Sequence, residues 1–160
     1  MRTHTFLAIY SKGGHKEEMD RLLTLLKQLK PKLKFVSIAD MPDCFDAMEH
    51  FICPEPRDKF NKWSMPFRQI YSSCTTFIQT LYLLKNYKIS GLISTGTSMV
   101  IIPALLFRLL NKKVIHIEDW SRFNTRSYTG KIMYYIADTF YVQNKSLLKK
   151  YPKAVYSGRL

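Results

Sequence analysis

Apolar and polar positions alternate in blocks along this chain, and the period of each block indicates the element it forms. Phe6-Leu7-Ala8-Ile9-Tyr10 is a short unbroken apolar run closed by Ser11-Lys12-Gly13-Gly14, the pattern of a buried strand ending in a tight turn. From His15 the period shifts. Met19, Leu22, Leu23, Leu26 and Leu29 recur at helical spacing, with Lys16, Glu17, Asp20, Arg21 and Lys27 on the other face, until Pro31 stops the helix. Residues 34–40 then read as a second strand. Strand, glycine turn, helix and strand make a βαβ unit, which implies a parallel sheet with right-handed crossovers.

Residues 41–66 interrupt this order. They carry Pro42, Pro54, Pro56 and Pro66 among scattered charges, which predicts a long loop or small excursion. A helix is predicted from Phe67 to about Asn86, and a strand over 89–94. The turn Ser94-Thr95-Gly96-Thr97-Ser98 follows, and then an apolar helix to about Leu110. A buried strand over 114–117 runs into Glu118-Asp119-Trp120. A helix over 129–137, a strand over 139–142, a short helix over 145–150 and a strand over 154–156 complete the chain. The alternation predicts one doubly wound α/β domain spanning residues 1–160. Ligands of open parallel sheets bind beyond the carboxyl ends of the strands. Residues 11–15, 94–98 and 118–122 all occupy such ends, so the architecture should gather three distant clusters along one edge.

Composition narrows the partners. The 160 residues include 25 Lys+Arg against 12 Asp+Glu, a formal net charge of +13, with 46% apolar and 23% charged residues. This is globular composition, and the basic excess calls for an anionic partner: nucleic acid, an anionic membrane surface or a phosphorylated small molecule. No aromatic-interleaved strand motif or recognition helix is present, so nucleic acid is not expected. Cys44, Cys53 and Cys74 make neither a disulfide framework nor a C-x-x-C zinc pair. The longest apolar stretch, residues 99–110, is interrupted by Pro103 and Arg108 and is too short to span a bilayer. The first residues run directly into the first strand without a signal peptide's apolar region. The expectation is a cytoplasmic protein lying peripherally on the inner face of the cell membrane, with Met99, Ile101, Leu105 and Phe107 on the contacting helix face.

Each cluster carries candidate chemistry. Gly13 and Gly14 let the backbone approach a ligand closely, and the following helix offers free N–H groups to an anion, with Ser11 beside them. His15 sits in the first turn of that helix, where a neutral imidazole would be the form able to accept a proton. Ser94, Thr95, Gly96 and Thr97 supply hydroxyls and a flexible turn suited equally to anion binding and to helix capping. Glu118 at a strand end offers a carboxylate as base or sugar-hydroxyl acceptor, and Arg122 a partner for phosphate or simply for a nearby acid.

The run Ser11-Lys12-Gly13-Gly14-His15-Lys16-Glu17-Glu18-Met19 resembles the S-x-G-G-H-x-x-E-M opening of a glycosyltransferase subunit family. Its members are the acceptor-side, membrane-associated subunits of two-part enzymes that extend lipid-linked sugars. They include an asparagine-linked glycosylation protein and bacterial exopolysaccharide and capsule relatives. Pro56-Arg57 before Trp63, Ser94-Thr95-Gly96-Thr97 with Pro103, and Glu118 with Arg122, Ser127 and Gly130 are similar to further family stretches. So is the ending Lys150-Tyr151-Pro152 through Tyr156, Gly158 and Arg159. The resemblance implies a Rossmann-like domain equivalent to the N-terminal half of an inverting GT-B glycosyltransferase. A separate donor-binding glycosyltransferase subunit would bring a nucleotide-sugar, a UDP-sugar in this reading, to the shared cleft. The acceptor would be a polyprenyl-pyrophosphate-linked sugar. No metal or other cofactor is implied. His15 is the first choice for base and Glu118 the second, with Gly13, Gly14 and the 94–98 turn toward pyrophosphate or nucleotide. The alternative is a non-catalytic scaffold that recruits a catalytic donor-binding subunit to the membrane.

Overall fold

Both faces of the predicted strands carry apolar side chains, so a sheet built from them must be covered on both sides. The computed structural model, which describes residues 4–42, 47–54 and 65–160, forms such a sheet. In chain order its elements are β1 (Thr5–Ile9), α1 (Gly14–Leu29), β2 (Lys34–Ala39), β3 (His50–Ile52), α2 (Met65–Asn86) and β4 (Ile89–Thr95). A 3-10 turn (Ser98–Val100) then leads into α3 (Ile101–Leu109), followed by β5 (Lys113–Ile117), α4 (Tyr128–Ile136) and β6 (Thr139–Val142). A second 3-10 turn (Lys145–Lys149) precedes β7 (Val155–Tyr156). All pairings are parallel, in the order β3-β2-β1-β4-β5-β6-β7. The winding therefore reverses between β1 and β4, which creates a crevice at their carboxyl ends.

Alternation along each strand divides the core. Leu7 and Ile9 of β1 join Val36, Ile38, Leu92, Val114 and Val142 on one side, packed with Leu83 of α2, Phe107 of α3 and Met133 of α4. Ala8, Phe35, Ala39 and Ile93 face the other side, packed with Met19 and Leu23 of α1. Residues two apart on a strand thus share one half of the core, and their immediate neighbours serve the half across the sheet.

The segment expected to be a loop contains β3. Its three residues pair with Ser37, Ile38 and Ala39, and the His50 ring lies 2.8 Å from the Ser37 hydroxyl and 2.7 Å from the Met41 carbonyl oxygen. A three-residue edge strand has too little pattern to announce itself, and only pairing with β2 defines it. The Pro56-Arg57…Trp63 stretch lies outside the described residues.

The membrane-facing assignment for residues 99–110 requires correction. Met99 and Phe107 are fully buried core residues and Ile101 is half-buried against that core, whereas Leu105 is exposed together with Ile102 and Leu109. An apolar helix shows no periodic contrast along its length, so its buried side is decided by what it packs against. Among the described residues, no helix is long and apolar enough to cross a membrane.

Candidate functional site

The bend after β1 depends on Gly13, whose φ of 83° is in the region that side chains avoid. Its carbonyl accepts hydrogen bonds from the amides of Lys16 and Glu17, starting α1 with no side-chain cap at its N-terminus. A Cβ added to Gly14 would meet the Trp120 indole nitrogen at 3.2 Å, so the bend after β1 abuts the loop after β5. The turn after β4 meets the same bend. Gly96, with φ of 56°, leaves its Cα bare beneath His15, and a Cβ there would fall 2.1 Å from the imidazole Cε1. Thr95 donates its hydroxyl to the His15 carbonyl at 2.8 Å. The three clusters expected at one sheet edge are therefore in contact, and they lie at the reversal of the sheet.

His15 remains 24% exposed, and its Nδ1 lies 3.5 Å from Oε2 of Glu18, one helical turn on. Glu18 is buried. Its Oε1 accepts the Trp120 N–H at 2.7 Å and an Nε2–H of Gln143 at 2.5 Å, tying α1 to the loop after β5 and the end of β6. Glu18 was not singled out in the sequence, although it stands in the glycine-histidine motif. A usable signal existed, because a carboxylate three residues after His15 falls on the same arc of α1 as Met19 and Leu22. Asp119 completes a group in which ligand atoms of His15, Glu18 and Asp119 lie within 4.8 Å of one another. Such a group could hold a small divalent cation through one imidazole nitrogen and two carboxylates.

The hydroxyls of the second turn are not open to a ligand, contrary to expectation. Ser94 is fully buried against Nδ1 of His116 at 2.8 Å, Thr95 is buried against His15, and Thr97 is buried. Ser98 donates to Gln69 of α2 at 3.2 Å. Hydroxyls in a strand end between neighbouring strands find protein partners first. What this turn presents to His15 is the bare Cα of Gly96. His116 is fully buried, with no hydrogen-bond partner for its Nε2 among the described residues. Burial first, and the nearby His15 second, push its pKa down to about 3.

Glu118 is likewise not where the sequence suggested. Its side chain is fully buried, and its Oε2 accepts the Tyr151 hydroxyl at 2.7 Å while Oε1 accepts the Asp119 N–H at 3.2 Å. The first turn of α4 presses on it so closely that a Cβ on Gly130 would lie 1.9 Å from Oε2. Ser127 caps the same helix by accepting the Gly130 N–H at 2.8 Å. Burial, followed by the Glu118 hydrogen bond and charge, holds the Tyr151 phenol well above its ordinary value. Glu118 is thus an internal anchor for α4 and for Tyr151, out of reach of a hydroxyl on the surface.

Arg122 donates to Thr125 at 3.4 Å, and its Nε is buried without a partner among the described residues. Asn144 holds this loop by donating to the carbonyls of Trp120 at 2.9 Å and Arg122 at 2.6 Å. The last residues return to the site. The Arg159 guanidinium stacks over Trp120 at 4.8 Å, the Leu160 N–H donates to Gln143 at 3.0 Å, and Arg21 donates to the Leu160 carbonyl at 3.0 Å. Between them lies a cavity of about 470 Å³, lined by Gly14, Glu18, Arg21, Trp120, Arg159 and neighbours. That volume is in the range of small-ligand pockets. Ser11 and Gly13 belong to the bend that leads to Gly14 and that the Lys12 N–H fastens to Asp40 at 2.7 Å.

Comparison with known proteins fits this architecture. A family profile described as "Oligosaccharide biosynthesis protein Alg14 like" matches residues 6–160. The UDP-N-acetylglucosamine transferase subunit ALG14 of Homo sapiens is 26% identical, over 98% of this chain and 82% of that protein. Its counterpart from Yarrowia lipolytica is 28% identical, over 96% and 80%. Among solved structures, MurG from Acinetobacter baumannii superposes with a TM-score of 0.64 at 13% identity, covering 89% of this chain and 42% of that one. UDP-GlcNAc 2-epimerase from Methanocaldococcus jannaschii gives 0.66 at 12% identity, covering 97% and 45%. The chain spans less than half of these two enzymes, and the likeness to them is one of fold: a Rossmann-like α/β domain of the GT-B kind.

Proposed function

Since the chain belongs to the Alg14-like family of oligosaccharide biosynthesis proteins, we propose that it is the acceptor-binding, membrane-associating half of a two-part glycosyltransferase. A separate donor-binding chain would complete the cleft and carry the nucleotide-sugar. The relatives' name points to UDP-N-acetylglucosamine as the donor. The acceptor would be a saccharide on a polyprenyl pyrophosphate, extended at the cytoplasmic face of a membrane in polysaccharide or oligosaccharide assembly. The observation that carries this reading is His15, partly exposed at the reversal of the sheet and seated on Gly96 with Glu18 behind it.

In this mechanism the acceptor hydroxyl loses its proton to His15 as its oxygen attacks the anomeric carbon. The bond from that carbon to the nucleotide diphosphate breaks, and the diphosphate leaves with the electron pair. Glu18 faces Nδ1, which leaves Nε2 to take the proton. Backbone amides at the uncapped start of α1 and the guanidinium of Arg122 suit the phosphates of acceptor or donor.

The test is sugar transfer by this chain reconstituted with its donor-binding partner. His15→Ala should lower turnover by about a hundredfold or more, the range expected for loss of a general base, while the melting curve stays in place. Full turnover by that variant would reject the assignment and favour the scaffold alternative.

A further inference from the structure

The amphipathicity of α2 is inverted. Its side toward the sheet carries Ser72, Thr76 and Thr80, all fully buried, with Leu83. The hydroxyls of Thr76 and Thr80 are satisfied by the carbonyls of Ser72 and Thr76, one turn back, at 2.7 Å each. Its outer side carries Phe67, Ile70, Tyr71, Ile78, Leu81 and Tyr82, between 43% and 77% exposed. At helical spacing these six fall on one arc about 120° wide that runs the length of the helix, roughly 33 Å for 22 residues. Ile102, Leu105 and Leu109 of α3, a helix in contact with α2, are exposed as well.

We propose that this outer face of α2 and α3 is where an anionic lipid bilayer docks, with α2 lying in the plane of the membrane surface. The inference deepens the membrane-associating part of the reading above and rests on it. Charge selects the occupant. From residue 65 to residue 117 the chain has six Lys or Arg and no Asp or Glu, so nothing on these helices repels lipid phosphates. Arg108 is paired with Asp138, so the lysines that follow α2 and α3 carry most of the remaining excess. The two tyrosines and the phenylalanine suit the headgroup boundary, where an apolar ring and a polar edge are both accommodated. Position agrees. The first turn of α2 is fastened to the turn after β4 through Gln69 and Ser98, so the apolar stripe begins beside the site. An acceptor anchored in the same bilayer would reach His15 without leaving the membrane.

Flotation of the full chain with phosphatidylcholine–phosphatidylglycerol vesicles tests this. The double change Ile78→Glu with Leu81→Glu should reduce vesicle binding about tenfold or more, since both charges would be pressed into the interface. Phe67→Ser with Ile70→Ser should weaken binding in the same direction. Leu29→Glu, at a still more exposed position but on α1 against the opposite face of the sheet, should leave it unchanged. Circular dichroism melts of each variant establish that the fold persists. If the wild type binds vesicles and the glutamate pair binds them equally well, this inference falls and the membrane reading stands. If the wild type does not bind at all, both fall. A concentration-dependent dimer abolished by the glutamate pair would assign the face to a second copy and overturn the proposal. Vesicle binding that follows the expected pattern while the reconstituted pair transfers no sugar would support the face and reject the enzymatic reading alone.

Discussion

His116 allows a quantitative test of the site's foundation. The ring sits fully buried under the sheet edge, held to Ser94, with a pKa near 3 against 6.5 for free imidazole. The folded protein therefore resists a proton that the unfolded chain accepts. Because the folded value lies below the unfolded one, its contribution to stability is complete above about pH 6.5 and declines as pH falls toward about 3. One pH unit below 6.5, at about pH 5.5, the loss is about 1.4 kcal/mol relative to about pH 7.5. Urea unfolding at the two pH values should show this as a midpoint shift of about 0.7 M, for a slope near 2 kcal/mol/M in a domain of this size. Other groups titrate over the same window, so the comparison is with His116→Gln, which retains a partner for Ser94 and cannot take up the proton. The variant should lose less stability on acidification than the wild type, by about 1.4 kcal/mol. Equal losses in the two proteins would refute the reasoning and place the His116 proton equilibrium outside the folding reaction.

Gly96→Ala should displace the His15 ring, because the new Cβ would occupy the space of its Cε1. Transfer by the reconstituted pair should fall about a hundredfold. Holding alanine at positive φ should cost only about 1–2 kcal/mol in urea unfolding. Tyr151→Phe should remove a hydrogen bond to the buried Glu118 carboxylate and lower stability by about 1.5–3 kcal/mol. At a temperature where this variant stays folded it should still transfer sugar, since Glu118 anchors α4 and does not face substrate. A normal melting curve with abolished transfer would return Glu118 to the chemistry.

The layout of the sheet was legible along the chain because each central strand is covered on both faces and therefore appears as a short, mostly apolar run closed by turn residues. The glycine-histidine bend was equally visible. The meeting of residues 11–15, 94–98 and 118–122 followed from topology alone, since a parallel sheet places every strand-to-helix turn on one edge. The third turn holds the acid that was misjudged. Glu118 and Glu18 both sit beside apolar residues, and neither pattern says which carboxylate is internal and structural and which backs His15. That was decided by Tyr151 and Gly130 closing on Glu118, and by Trp120 and Gln143 closing on Glu18, all contributed from distant parts of the chain.

Local order, the winding of the sheet and the edge that carries the site are properties of this sequence read by itself, because period and turn chemistry act between near neighbours. Which side of an apolar helix is hidden belongs to the tertiary structure. Met99 and Phe107 turned inward, while the large side chains of α2 turned outward over a row of small hydroxyls that fit against the sheet. A run of apolar residues carries no mark of its own inner face; only the shape of what it packs against supplies one.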